Sequence, residues 1–327
     1  MPELSLPLAL ILVLGAEFMN GWTDAPNAIM TVVSTRVMRP VHAIIMAVCL
    51  NILGAMGGIA VATTIGKGIV DANVINLTTI SAAMVSIILW GLFAAHFGIP
   101  MSKSHALVAG LSGAAVATAG PHAVLWSGWE KVLLGLAFST VLGFIGGFLL
   151  SKLIIKSVSV ASSTKANRWF RILQIFSAGF MAFNHGLNDG QKFIGVFAMT
   201  LTLGGVFATF HISWWVILIC AVTMGLGTSM GGWKIIRKVG MQMVQLNPWQ
   251  GFAAETGASG VILTASYFGI PLSTTHSIIS SITGVAAARN LAKVRWNVSQ
   301  EIVMAWLLTF PICGTISFVV ALIAKRL

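Results

Sequence analysis

The chain has 327 residues, is 57% hydrophobic and only 8% charged, and carries a formal charge of +11. That composition excludes an ordinary soluble globular protein and describes a polytopic helical membrane protein. The excess of base does not indicate nucleic acid, because no helix face or arm gathers Lys and Arg among aromatic residues.

The first element is an almost wholly apolar run, Leu4 to Met19, with no small-residue cleavage site before a polar segment, so it reads as a retained membrane helix. Asn20-Gly21-Trp22-Thr23-Asp24-Ala25-Pro26-Asn27 follows, and the chain turns apolar again at Ala28. A carboxylate at this depth costs roughly 2.5 to 3.5 kcal/mol on insertion scales and is kept mainly where it faces a polar cavity. Gly21 permits non-helical backbone, and Pro26 fits the first turn of a helix restarting after Asp24 as its cap. The first unit, near 4–37, is therefore expected to be interrupted, with a fresh helix N-terminus aimed into the protein.

Further apolar units follow near 41–65, 79–98, 101–120 and 131–155, and a second set near 169–207, 212–232, 251–269, 271–288 and 301–324. Between the sets lies a basic linker. Lys152, Lys156, Lys165, Arg168 and Arg171 form one basic cluster, Lys234, Arg237 and Lys238 another, and Arg289, Lys293 and Arg295 a third. Such clusters between spans are the orientation signals of cytoplasmic loops. The division expected is a first membrane repeat over 1–156, the linker at 157–168 and a second repeat over 169–327.

The repeat is explicit. Gly21 and Asp24 recur as Gly186 and Asp189 in His185-Gly186-Leu187-Asn188-Asp189-Gly190-Gln191-Lys192, an offset of 165 residues. Phe97-Gly98-Ile99-Pro100-Met101-Ser102-Lys103-Ser104-His105 recurs as Phe268-Gly269-Ile270-Pro271-Leu272-Ser273-Thr274-Thr275-His276 at an offset of 171, which Gly113 and Gly284 also keep. About five hydrophobic units in each half, an odd count, would insert the second half upside down. The expected fold class is an all-α polytopic membrane protein of two inverted-topology repeats with broken or re-entrant helices.

These motifs carry the chemistry. Asp24 and Asp189 are the intramembrane carboxylates. Pro100 and Pro271 end one segment, and Ser102 and Ser104, or Ser273, Thr274 and Thr275, cap or line the start of the next, where hydroxyls and amides cradle an oxyanion. His105 and His276 follow at matching places as donors or as fixers of a neighbouring carbonyl. Two ionised Asp around a doubly negative anion would place about four negative charges together, of which Lys192 offsets one. The site therefore calls for added cations, sodium near Asp24 and Asp189 or protons on them, which couples anion entry to cation entry. Glu255, whose repeat position is Met84, is either a coupling-ion or proton site or a helix-start carboxylate; Glu17, opposite Ala182, is a weaker candidate of the same kind.

Other patterns carry little. Gly225 to Gly232 lacks both the strand context and the lysine of a phosphate loop. Trp126, Trp129, Trp214, Trp215, Trp233 and Trp249 fit an interfacial belt, and Cys49, Cys220 and Cys313 read as packing residues.

The stretches 20–28, 98–107, 184–192 and 269–277 resemble the inorganic phosphate transporter family, and its bacterial branch most of all, over nearly the whole chain. The resemblance implies a secondary transporter, not an enzyme, in the bacterial cell membrane, moving phosphate by symport with sodium or protons and needing no other cofactor. It implies a pocket matching Asp24, Asn27, Ser102, Ser104, Asn188, Asp189, Ser273, Thr274 and Thr275, to which the motif adds Lys192, with Asn20, Thr23, His105, His185, Glu255 and His276 in coupling or supporting roles. The expected partners are inorganic phosphate, free or as a metal-phosphate complex, the lipid bilayer and, in a homodimer, a second copy; nucleic acid is not among them. The chain departs from the family's pattern at Thr23, where Asn or His is usual, and at Lys103, where Ser is common and the added charge either tightens anion binding or snorkels to the interface. The linker also lacks the large loop of eukaryotic members.

Three other readings compete. A sulfate permease of the same family is disfavoured by the carboxylates, since sulfate has no proton to donate to them. An intramembrane aspartyl protease would use two Asp but leaves the duplicated Pro-Ser-His motif without a role. A channel would need a continuous polar path and no coupling.

Overall fold

The computed structural model describes residues 5–157, 164–243, 245–289 and 296–326. The first half comprises α1 (Leu6–Ser34), α2 (Pro40–Ala55), α3 (Ala60–Gly68), α4 (Leu77–Phe97), α5 (Lys103–Ala119) and α6 (Trp126–Ser157). The second comprises α7 (Thr164–His185), α8 (Gln191–Leu203), α9 (Trp214–Ser229), α10 (Trp233–Met243), α11 (Pro248–Tyr267), α12 (Thr274–Arg289) and α13 (Trp296–Ala324). Among the described residues four helices, α1, α4, α6 and α13, are each long and apolar enough to cross a bilayer, and the pairs α2–α3 and α9–α10 qualify together across bends of 67° and 55°.

The breaks fall elsewhere than the sequence reading places them. The 20–27 stretch lies inside one continuous 29-residue helix, with Pro26 in its interior. In the second half the matching stretch is a single π-helical turn, Gly186–Gly190, joining α7 to α8. The sharp bends come one unit later in each half, after Gly57-Gly58 and at Gly231-Gly232, where φ is 82° and 57°. α1 tolerates Pro26 because neighbouring backbone fills the notch it leaves. A β-carbon at Gly232 would fall 2.8 Å from Pro26 Cδ and 2.9 Å from the Trp22 carbonyl that Pro26 leaves without its helical donor.

Gly21 and Gly186 accordingly serve close packing. A β-carbon at Gly21 would sit 2.1 Å from Met224 O on α9, and one at Gly227 2.1 Å from Phe18 O on α1. The repeat reproduces the crossing: Gly186 against Asn51 O at 2.1 Å and Gly54 against Phe183 O at 2.0 Å. Small residues let membrane helices approach backbone to backbone where lipid supplies no hydrophobic drive.

The halves are inverted. Leu6, at the start of α1, lies against Gly204 at the end of α8, and Arg171, near the start of α7, donates to the Arg36 carbonyl just past the end of α1 at 3.0 Å. Equivalent helices thus run antiparallel. They also exchange partners, α5 packing on α13 and α12 on α6. Arg36 and Arg289 line one cavity of about 830 Å³ at the end where α1 finishes, which gathers bases from two of the chain's connections on one face. Lys293 and Arg295 lie outside the described residues, as do 158–163 of the linker; α7 already begins at Thr164, inside the expected linker. Trp249 is buried at the start of α11 rather than in a belt, whereas Trp126 and Trp214 are exposed. Cys220 and Cys313 are buried as expected of packing residues, but Cys49 is exposed.

Candidate functional site

Two non-helical crossings organise the site. α4 ends at Gly98 with φ 66°, and Ile99 to Ser102 run extended or irregular into α5, where Ser102 Oγ accepts the His105 N–H at 3.4 Å. The second repeat does the same, Gly269 having φ 65° and Ser273 Oγ accepting the His276 N–H at 3.3 Å. Both helix starts are held together across the repeat axis: the Ser104 hydroxyl donates to Leu272 O at 2.6 Å, and its equivalent Thr275 reaches Met101 O at 3.3 Å. Two helix N-termini therefore converge in the buried centre, as the duplicated Pro-Ser motif implies.

Asp189, in the π turn, is gripped from three sides. Lys192 Nζ pairs with Oδ1, Thr274 Oγ1 donates to Oδ2 at 2.6 Å, and His185 Nε2 lies 3.3 Å from Oδ2. Lys192 also donates to Ser104 Oγ at 2.6 Å and Leu272 O at 2.7 Å. Asp24, on α1, is held more loosely: Thr275 Oγ1 is 3.5 Å from Oδ2, and Thr23 Oγ1 is 3.3 Å from Oδ1 while donating better to Met19 O at 2.8 Å. Asn27 Nδ2 bonds Thr275 at 2.9 Å and Thr274 at 3.3 Å, which ties α1 to the start of α12. All of these side chains are buried. Asp24, His185 and Asp189 each present one ligand atom within 4.8 Å of the others.

The imidazole of His185 has a fixed orientation. Thr228 donates to Met224 O at 3.0 Å, so its oxygen accepts from Asn51 Nδ2 at 3.0 Å, and Asn51 Oδ1 then accepts from His185 Nδ1 at 3.1 Å. With the proton on Nδ1, a neutral His185 turns a bare Nε2 lone pair toward the Asp189 carboxylate. Two acceptors 3.3 Å apart call for a shared cation between them.

Of the expected residues, Asp24, Asn27, Ser104, Asp189, Lys192, Thr274 and Thr275 meet here, with Thr23 and His185 beside them. Asn20 stands behind, donating to Glu17 Oε2 at 3.0 Å and approaching Asp189 O at 3.5 Å. Asn188 turns away, donating to Ser266 Oγ at 2.9 Å and Ile270 O at 3.3 Å, since successive residues of a helix point about 100° apart. Ser102 and Ser273 are caps. His105 and His276 pack edge to face, 4.7 Å between centroids, and their Nδ1 atoms approach Trp306 O and Thr140 Oγ1 at 3.4 Å. They join α5 and α12 to α13 and α6.

Glu255 forms a second polar cluster. Thr31 Oγ1 donates to it at 2.5 Å, Ser177 Oγ donates to its other oxygen, and Gln174 Nε2 donates at 3.3 Å, all in the buried interior. Its place mid-sequence in α11, past the first turn, sets aside the helix-start reading. Thr31 lies seven residues beyond Asp24 on α1, about 10 Å along the axis. The sequence reading did not single out Thr31, Gln174 or Ser177; their signal is polar residues at helical spacing within otherwise apolar spans.

The same chain has known relatives. The model of the Phosphate transporter family matches residues 20–162 and again 156–317. A protein of Rhizobium meliloti (strain 1021) named "Probable low-affinity inorganic phosphate transporter" is 40% identical over 92% of this chain and 91% of its own length. One of the same name from Bacillus subtilis (strain 168) is 39% identical over 94% of each chain. A solved structure titled "The sodium-dependent phosphate transporter" superposes with a TM-score of 0.90 at 25% identity, covering 98% of this chain and 99% of its own.

Proposed function

The chain belongs to the phosphate transporter family, whose members are multi-pass membrane transporters and not enzymes, and from that premise we propose that it imports inorganic phosphate by symport with a cation. The anion sits at the converging N-termini of α5 and α12, among Ser104, Thr274, Thr275, Asn27 and Lys192. The observation that carries this reading is the meeting of Asp24, His185 and Asp189 beside those helix starts. Two carboxylates and a doubly negative anion in a dry site repel one another strongly. They tolerate one another only when cations enter with the anion.

The coupling cation on this reading is a proton shared by His185 and Asp189. A bare imidazole nitrogen suits a proton or a divalent metal better than sodium, a hard cation that prefers oxygen. The same three groups fit the metal of a metal-phosphate complex. The sodium-dependent solved relative supplies the alternative, sodium bound near Asp24 and Asp189.

The test is uptake of labelled phosphate into proteoliposomes holding the purified protein, with proton and sodium gradients imposed separately and unlabelled sulfate as competitor. A proton gradient is expected to drive uptake that sulfate does not suppress, and Asp24→Asn and Asp189→Asn are each expected to abolish it. Undiminished gradient-driven uptake by both variants would sink the proposal; uptake driven by sodium alone would replace the coupling ion.

A further inference from the structure

Lys103 is the first residue of α5 and the repeat equivalent of Thr274. It does not snorkel: its side chain is 1% exposed. Its ammonium is enclosed by α1, α4 and the crossing before α5. The nearest polar contact is Met101 Sδ at 3.6 Å, and a β-carbon at Gly91 on α4 would lie 3.3 Å from Nζ. Among the described residues no carboxylate oxygen comes within ion-pair distance of Nζ, and its strongest charge–charge interaction is with Asp24.

Lys192 makes an instructive contrast, since its three donors are all used, on Asp189, Ser104 and Leu272 O. A buried ammonium with three donors and no anionic partner is costly, and proteins keep such a charge where an anion completes it. Where Lys103 stands, the second repeat has the neutral Thr274, which donates directly to Asp189. The first repeat has thus placed a buried base within electrostatic reach of Asp24, though not paired with it, at a helix start that already favours anions.

We propose that Lys103 is a tethered counter-ion of the transport site, pairing with bound phosphate and Asp24 and standing in for one coupling cation. This inference rests on the functional reading above. A tethered charge crosses with the protein when the site is loaded and returns with it when empty, so over a cycle it neutralises the anion without being transported. A bound cation is released with the substrate. Each phosphate therefore enters with one cation fewer than the carboxylate count alone requires.

The experiment measures the null point of flux in proteoliposomes, the cation gradient that just balances an opposed phosphate gradient, for wild type, Lys103→Thr and Lys103→Arg. Lys103→Thr should need one more cation per phosphate than wild type, and Lys103→Arg should match wild type. Where Lys103→Thr does not fold, Lys103→Met, which keeps the stem among Met19 and Met101, takes its place. In parallel, phosphate-dependent thermal stabilisation of the purified variants is followed against cation concentration. Loss of Lys103 should lower phosphate affinity at least tenfold at low cation and restore it as cation rises. A neutral variant with the wild-type null point, or with unchanged affinity and cation dependence, overturns the inference alone. A wild type that moves no phosphate overturns the functional reading and the inference with it.

Discussion

Asp189 and Lys192 form an ion pair, one helical turn apart, from which solvent is excluded: the side chains are 1% and 0% exposed. Breaking a buried pair from one side is far more damaging than removing both partners. Lys192→Met should destabilise the protein by about 3 to 5 kcal/mol and abolish uptake. The double variant Asp189→Asn with Lys192→Met should recover much of the stability while staying inactive. Thermal unfolding in detergent beside uptake separates the two effects, and equal stability of single and double variants would count against the pair.

Glu255 is held by three donors from α1 and α7, Thr31, Ser177 and Gln174, an arrangement a glutamine can largely preserve without charge. If Glu255 takes part in coupling, Glu255→Gln should fold and exchange phosphate for phosphate across the bilayer, yet fail to accumulate it against a gradient. Counterflow and net uptake, measured on the same vesicles, give the answer; a variant that accumulates phosphate normally removes Glu255 from coupling.

Asn27 links α1 to the start of α12 through Thr274 and Thr275. Asn27→Ala removes two neutral hydrogen bonds, each worth about 1 kcal/mol net, and loosens two hydroxyls beside the anion. A rise in KM for phosphate of roughly tenfold is expected, about 1.4 kcal/mol, with the coupling ratio unchanged. An unaltered KM would show that these bonds only support the fold.

The backbone crossings of α1 with α9 and of the π turn with α2 leave no room for a methyl group. Gly21→Ala and Gly186→Ala put a β-carbon 2.1 Å from a carbonyl oxygen, so each should cost several kcal/mol and lower the yield of folded protein. Gly260→Ala, on the exposed face of α11 with nothing within 4 Å, is the control and should be neutral or slightly stabilising. Size-exclusion profiles after mild heating rank the three.

The repeat made the heart of the site readable from sequence. Residues at matching positions in inverted halves are brought to face one another, so Asp24 with Asp189 and Ser104 with Thr275 follow from two offsets. The breaks before α5 and α12 followed from the Pro-Ser motif, but the one expected at 20–27 did not, because Gly and Pro have several uses. At 20–27 their roles are close packing and a filled notch, whereas the bends fall at Gly57-Gly58, which the sequence reading passed over, and at Gly231-Gly232, which it weighed only as a phosphate loop. Asn188 entered only through the family resemblance, and the structure turns its amide to Ser266 and Ile270, because neighbouring residues of a helix point about 100° apart. Whether Lys103 snorkels is a question of depth that a single sequence leaves open, and the structure answers it by enclosing the ammonium.

The two halves share a backbone plan but differ in charge at the places that count: Glu255 stands opposite the buried Met84, Glu17 opposite Ala182 and Lys103 opposite Thr274. In a carrier of strictly identical halves, swapping their shapes would produce a state of equal energy related by a two-fold rotation, and the empty protein would dwell equally on either side. Here the swap moves each charge into a different setting. The unloaded carrier of the proposed cycle therefore has a preferred side on which to wait, so its apparent affinities for phosphate differ between the two faces while uptake and release still balance without a gradient.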